Sequence, residues 1–108
     1  MNTKSNNIEK CDLALQALYD VDDPEIGLNI VDLGLVYEIY FDDVDEKVVC
    51  IMTLTTQFCP MGDAITSDTR NALSKTFPGW DITLNLTFEP AWNFSMISPE
   101  GLVFLGQR

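Results

Sequence analysis

Between Lys47 and Phe88 the apolar period changes from two to 3.6 and back to two. In Lys47 to Thr55, Val48, Cys50, Met52 and Leu54 share one face, and Val49, Ile51, Thr53 and Thr55 share the other. From near Pro60 to about Thr76, Ala64, Ile65, Thr69, Ala72 and Leu73 recur at helical spacing, and Pro78 and Gly79 end the run. Asp81 to Phe88 then alternates again, Ile82, Leu84, Leu86 and Phe88 against Thr83, Asn85 and Thr87. Strand, helix and strand in this order form a crossover, which is expected to be right-handed and to make the two strands parallel.

The chain upstream completes the layers. Leu35 to Phe41 alternates, with Tyr37, Ile39 and Phe41 against Val36, Glu38 and Tyr40. The polar connector Asp42 to Glu46 joins it to the next strand as an antiparallel hairpin. Ile8, Cys11, Leu15, Leu18 and Tyr19 predict an amphipathic helix over roughly residues 7–20, stopped by Pro24. Residues 1–6 are polar and expected to be loose. In Asp22 to Gly34, Asn29 is placed to cap a short turn through Ile30 to Leu33, with Gly34 closing it. In the tail, Pro90, Trp92, Phe94 and Met96 precede Ser98, which caps a short helix starting at Pro99. The expected fold is α+β: a two-layer sandwich in the order α-β-β-α-β, with a small three-stranded mixed sheet and a C-terminal tail.

The 108 residues fit one domain, 1–108. The net charge of −11, from 17 acidic and 6 basic residues, argues against nucleic acid and anionic membrane surfaces, which need clustered Lys and Arg. It suits a basic partner or a metal, and it also keeps a protein soluble. No apolar run is long enough to span a bilayer, and the N-terminal residues show no apolar leader, so a cytoplasmic location with reduced thiols is expected. The sequence has no histidine, which removes the usual general base and the commonest metal ligand.

The three cysteines are Cys11, Cys50 and Cys59, with no CxxC pair. Cys11 lies on the apolar stripe of the first helix and Cys50 on the apolar face of its strand, so both are expected to fill the core. Cys59 directly precedes Pro60 and is the expected N-cap of the second helix, where the helix dipole favours a thiolate that can attack or ligate metal. A cysteine that merely closes a tight turn fits the same position. Thr53, Thr55, Thr56 and Gln57 surround it. Their polar groups suit a sulfur anion or bound cluster, while Thr equally suits a strand, and Thr53 fits the strand better. Asp22, Asp23, Glu25 and Asp32 are carboxylates for a metal or partner, or, as their turn-forming context favours, groups that cap and shape turns. Trp92, Phe94 and Met96 form either an exposed partner patch or a strap over the sheet.

Three runs, DPEIGLNIVDLGLVYEI (Asp23 to Ile39), MTLTTQFCPMGDAI (Met52 to Ile65) and EPAWNFSMISPEGLVFLG (Glu89 to Gly106), resemble the metal–sulfur cluster biosynthetic family, the small PaaD/SufT-like domain. The resemblance implies an α+β fold with a three-stranded sheet and a role in maturing iron–sulfur proteins. It implies one reactive cysteine, carried onto Cys59, supported by the acidic Asp23, Glu25 and Asp32. The absence of cysteine after Cys59 favours the SufT-like branch; Phe94 and Gly101 depart from relatives that are more polar or helix-forming there. The expected function is an assembly factor, not an enzyme, that helps deliver clusters to client apoproteins. One thiol supplies one of the four ligands a cluster takes, so any cluster is transient and shared with a second chain, a client or small thiols. The expected partners are client apoproteins and other assembly factors, with a homodimer as one way to share the cluster. The alternative is a metal-free adaptor that docks clients through the sheet face and aromatic tail. A thiol enzyme or redox relay ranks last, because no resolving CxxC partner and no His activate Cys59.

Overall fold

The computed structural model describes residues 3–56 and 61–106. Its elements are β1 (Lys4–Ser5), α1 (Ile8–Leu18), β2 (Asp22–Asp23), β3 (Leu28–Asn29), α2 (Ile30–Leu33), β4 (Val36–Asp42), β5 (Lys47–Met52), α3 (Gly62–Thr76), β6 (Asp81–Leu86) and α4 (Pro99–Gly106). A short 3-10 turn, Phe94–Met96, precedes α4. The main sheet is mixed, in the order β1-β4-β5-β6, and β2 and β3 form a separate small ribbon. The α+β class, the β4–β5 hairpin and the parallel β5–β6 pair all follow the expectation from periodicity. No helix of the described residues is long and apolar enough to cross a membrane.

The sheet gains a fourth strand from a segment expected to be loose. Lys4 and Ser5 pair in parallel with Glu38 and Ile39. Around them, the Thr3 hydroxyl donates to the Val36 carbonyl at 3.0 Å, and the Asn6 amide bonds both main-chain groups of Phe41, at 2.8 and 2.9 Å. Polar residues here are not a sign of looseness. Their side chains satisfy the outer edge of β4.

The apolar layer is built from stripes. On α1 the buried set is Cys11, Ala14, Leu15 and Leu18, while Ile8 and Tyr19, expected on the stripe, are exposed. On α3 it is Gly62, Ile65, Thr69 and Leu73, while Ala64 is exposed. α1 and α3 pack together over Ile39, Phe41, Val48, Cys50 and Met52 of the sheet. A bulge between Val36 and Glu38 shifts the register of β4. Strict alternation predicted Tyr37 on the face of Ile39; the extra residue instead buries Val36 with Ile39 and leaves Tyr37 half-buried.

Element ends also differ from the expectation. β5 stops at Met52 instead of Thr55, although the Thr53 N–H still donates to the Leu35 carbonyl at 2.8 Å. β6 stops at Leu86 instead of Phe88. The turn Ile30–Leu33 forms as read, with the Asn29 side chain capping Asp32 N–H and Gly34 in the left-handed conformation at φ 80°. Ser98 caps α4, its hydroxyl accepting from Gly101 N–H at 3.0 Å.

Candidate functional site

The connection between β5 and α3 leaves the sheet at the carboxyl ends of two parallel strands. That is where ligand and reactive groups collect in crossover units. The Thr87 N–H donates to the Met52 carbonyl at 2.9 Å and ties the two strand ends together. Beyond this point Thr53 and Leu54 are buried, Thr55 is half-buried and Thr56 is exposed. Helix α3 returns close to the strand end. A Cβ on Gly62 would sit 2.9 Å from Leu54 Cδ1, so a larger residue there would push the first turn off Leu54.

Gln57, Phe58, Cys59 and Pro60 lie outside the described residues. The helix start corrects one expectation about them. Met61 occupies the N-cap position of α3, with no side-chain capping bond, and Gly62 begins the helix. Cys59 and Pro60 therefore precede the cap instead of forming it and the first helical position.

The other two thiols are placed as expected. Cys11 and Cys50 are free and buried. Burial pushes the Cys50 thiol up to about 12, with the nearby Cys11 adding to the effect. Burial also raises Cys11, opposed in part by a Ser5 hydrogen bond. Thiols held protonated in a core neither attack nor ligate metal. Among the described residues no three Cys, Asp or Glu side chains converge as a ligand group.

The acidic residues serve the turns and the tail. Asp23 is almost fully buried, and its carboxylate accepts the Glu25 N–H at 2.9 Å while its carbonyl accepts from Ile26 and Gly27. This builds the β2–β3 turn, on which Glu25 is exposed and beside which Asp22 pairs with Asn29. Asp32 is half-buried and accepts from Asn29 Nδ2 at 2.8 Å and from the Ser98 hydroxyl at 2.7 Å. Its carbonyl accepts the Ser98 N–H at 2.7 Å. Asp32 thus latches the start of α4 to α2. Asp32→Ala is expected to cost about 1–3 kcal/mol by removing the carboxylate acceptor of Asn29 Nδ2 and the Ser98 hydroxyl, with faster amide exchange over Ser98 to Leu102 as the local readout.

The aromatic tail divides between the two readings. Trp92 Nε1 donates to the Leu33 carbonyl at 2.6 Å, and the Tyr37 hydroxyl donates to the Pro90 carbonyl at 2.8 Å and meets Met96 Sδ at 3.5 Å. Trp92 and Met96 are therefore strapped down. Phe94 packs edge-on against Trp92 at 5.5 Å yet stays 74% exposed. Between strap and sheet lies a cleft of about 840 Å³ lined by residues that include Tyr37, Ile51, Thr87, Pro90 and Met96. Burial raises the Tyr37 hydroxyl pKa, partly offset by Thr53. Sequence reasoning missed Tyr37, Gly34 and Ser98 as one unit. No local pattern marks it, because its partners lie more than fifty residues apart.

A mixed sheet covered by two helices on one face and strapped by its own tail on the other defines a small α+β scaffold. Residues 12–83 match the iron–sulfur cluster assembly protein family, and the chain belongs to that family. It is 40% identical over 94 residues to an Fe-S protein maturation auxiliary factor of Porphyromonas gingivalis, covering 85% of this chain and 87% of the relative. It is 39% identical over 86 residues to the Fe-S protein maturation auxiliary factor SufT of Staphylococcus aureus, covering 78% and 94%. A domain of unknown function from Bacillus anthracis superposes with a TM-score of 0.84 at 34% identity, covering 94% of this chain and all of that one.

Proposed function

We propose that this chain serves iron–sulfur protein maturation, helping to deliver or insert clusters into client apoproteins through the Cys59 thiol. The observation that carries this reading is the fate of the other two thiols. Cys11 and Cys50 are buried with raised pKa values, which leaves Cys59 as the thiol for the task. Likeness to proteins named as maturation auxiliary factors supports the choice of cluster chemistry. The cluster is cargo. Cys59 thiolate supplies one iron ligand, and thiolates of the client, a second chain or small thiols supply the rest. Thr55 and Thr56 stand four and three residues before Cys59 in the sequence and are its supporting residues in this reading. Delivery is ligand exchange, so the protein acts as an assembly factor without enzymatic turnover. Its partners are client apoproteins and other assembly factors.

Anaerobic reconstitution with iron and sulfide tests the reading. Visible absorbance is expected in the wild type, in Cys11→Ala and in Cys50→Ala, and is expected to fall to background in Cys59→Ala. An undiminished signal from Cys59→Ala would remove the thiol from the mechanism. The exposed Phe94 favours a second reading, a metal-free adaptor that docks clients through the tail. It predicts that Cys59→Ala still pulls down clients while Phe94→Ala does not.

A further inference from the structure

The two edges of the main sheet are treated differently. At the β4 edge, Thr3, the short β1 and Asn6 occupy main-chain groups from Val36 to Phe41. At the other edge, β6 runs six residues without a register shift against β5. Asp81 N–H donates to Glu46 and Thr87 N–H to Met52, so the odd-numbered residues face β5. Ile82, Leu84 and Leu86 therefore turn their N–H and C=O groups outward. Arg70 Nη1 donates to the Ile82 carbonyl at 2.8 Å and closes that position. Leu84 and Leu86 meet no outward backbone partner among the described residues.

Open edges are normally blunted by Lys, Pro or a bulge. The strand Asp-Ile-Thr-Leu-Asn-Leu has neither Lys nor Pro. Its inner face also continues the core: Leu84 is paired with Cys50 and Leu86 with Met52, yet Leu84 is half-buried and Leu86 is 47% exposed. An added strand would satisfy the free backbone groups and cover both leucines.

We propose that the outer edge of β6 at Leu84 and Leu86 docks an extended, positively charged segment of a partner protein by strand addition. This inference goes beyond the maturation role and stands without it. The hydrogen-bonding pattern selects an extended backbone, because a helix has no free groups to offer. Charge selects the sign. A chain with a net charge of −11 attracts a basic segment and repels a second copy of itself.

The probe is a labelled six-residue peptide alternating Lys and Val, titrated into the full chain by fluorescence anisotropy. Saturable binding is expected, with slowed exchange of the Leu84 and Leu86 amides. A Lys-Pro peptide of the same charge is expected to bind at least about tenfold more weakly, because it lacks alternate N–H donors. Leu86→Pro removes an outward N–H while leaving the β5 ladder intact, and is expected to weaken the Lys-Val peptide about tenfold. Should that variant fail to fold, amide exchange of the wild type decides alone. Equal binding of both peptides, unprotected Leu84 and Leu86 amides, or a dimer in sedimentation that already protects them would each overturn the proposal.

Discussion

Gly34→Ala is expected to destabilise the fold by about 3 kcal/mol or more, read as a lowered urea midpoint. Two effects add at this position. The backbone sits at φ 80°, where a Cβ is strained by about 1–2 kcal/mol. A Cβ there would also overlap the Met96 carbonyl, so the tail must lift from α2. That carbonyl belongs to backbone, which cannot rotate away as a flexible side chain does. Gly79 supplies the control. It has φ 82°, but no described atom lies within 4 Å of the position that a Cβ would take. Gly79→Ala is therefore expected to cost only the backbone strain, about 1–2 kcal/mol. Equal losses in the two variants would show that the tail does not press on Gly34.

Raising the pH above 9 is expected to weaken the fold through Cys50. Its thiol is pushed from the ordinary 9.0 up to about 12 by burial. The folded state holds a proton that the unfolded chain releases, so the stabilising effect is complete below about pH 9. It is lost progressively as the pH rises toward 12, up to about 4 kcal/mol at roughly 1.4 kcal/mol per pKa unit. Other groups titrate in this window, including Cys11, whose pKa is also raised. The decisive readout is the difference in slope between wild type and Cys50→Ala, measured by urea unfolding at several pH values. The variant starts less stable because a buried sulfur is gone from the core, but it is expected to lose less stability from pH 9 to 12. Parallel slopes would mean that Cys50 does not titrate in this way. The same burial predicts that Cys50 resists alkylation at pH 8 in the folded protein and reacts once urea unfolds it.

Much of the candidate site was legible residue by residue, and little of it as a site. Cys11 and Cys50 fall on apolar stripes, so their burial followed from period alone. Asn29 with Gly34, and Ser98 with Pro99, are short-range capping patterns and formed where they were read. Asp32 was expected to have a structural role, but its partner Ser98 lies 66 residues away and no local pattern indicates the pairing. A Cβ at Gly101 would sit 2.9 to 3.2 Å from Ile97, Leu28 and Asp32. The α4 helix gives up propensity at that position for close packing on α2 and β3.

The sequence by itself determined the helices, the strands β4, β5 and β6, their order and the parallel β5–β6 pair, because each follows from a hydrophobic period, a capping pattern or the chain connectivity. It also determined that Cys59 is the cysteine off both apolar stripes. Only the tertiary structure decided which sheet edge is sealed and which is open, since that depends on Thr3 and Asn6 reaching a strand more than thirty residues away. The fold likewise decided that the IVDLG block is the dock for the tail, and that a bulge turns Tyr37 out of the core face and toward Pro90. Short-range patterns encode which residues are apolar or capping. Which distant backbone group each one meets is set by the packing of the layers.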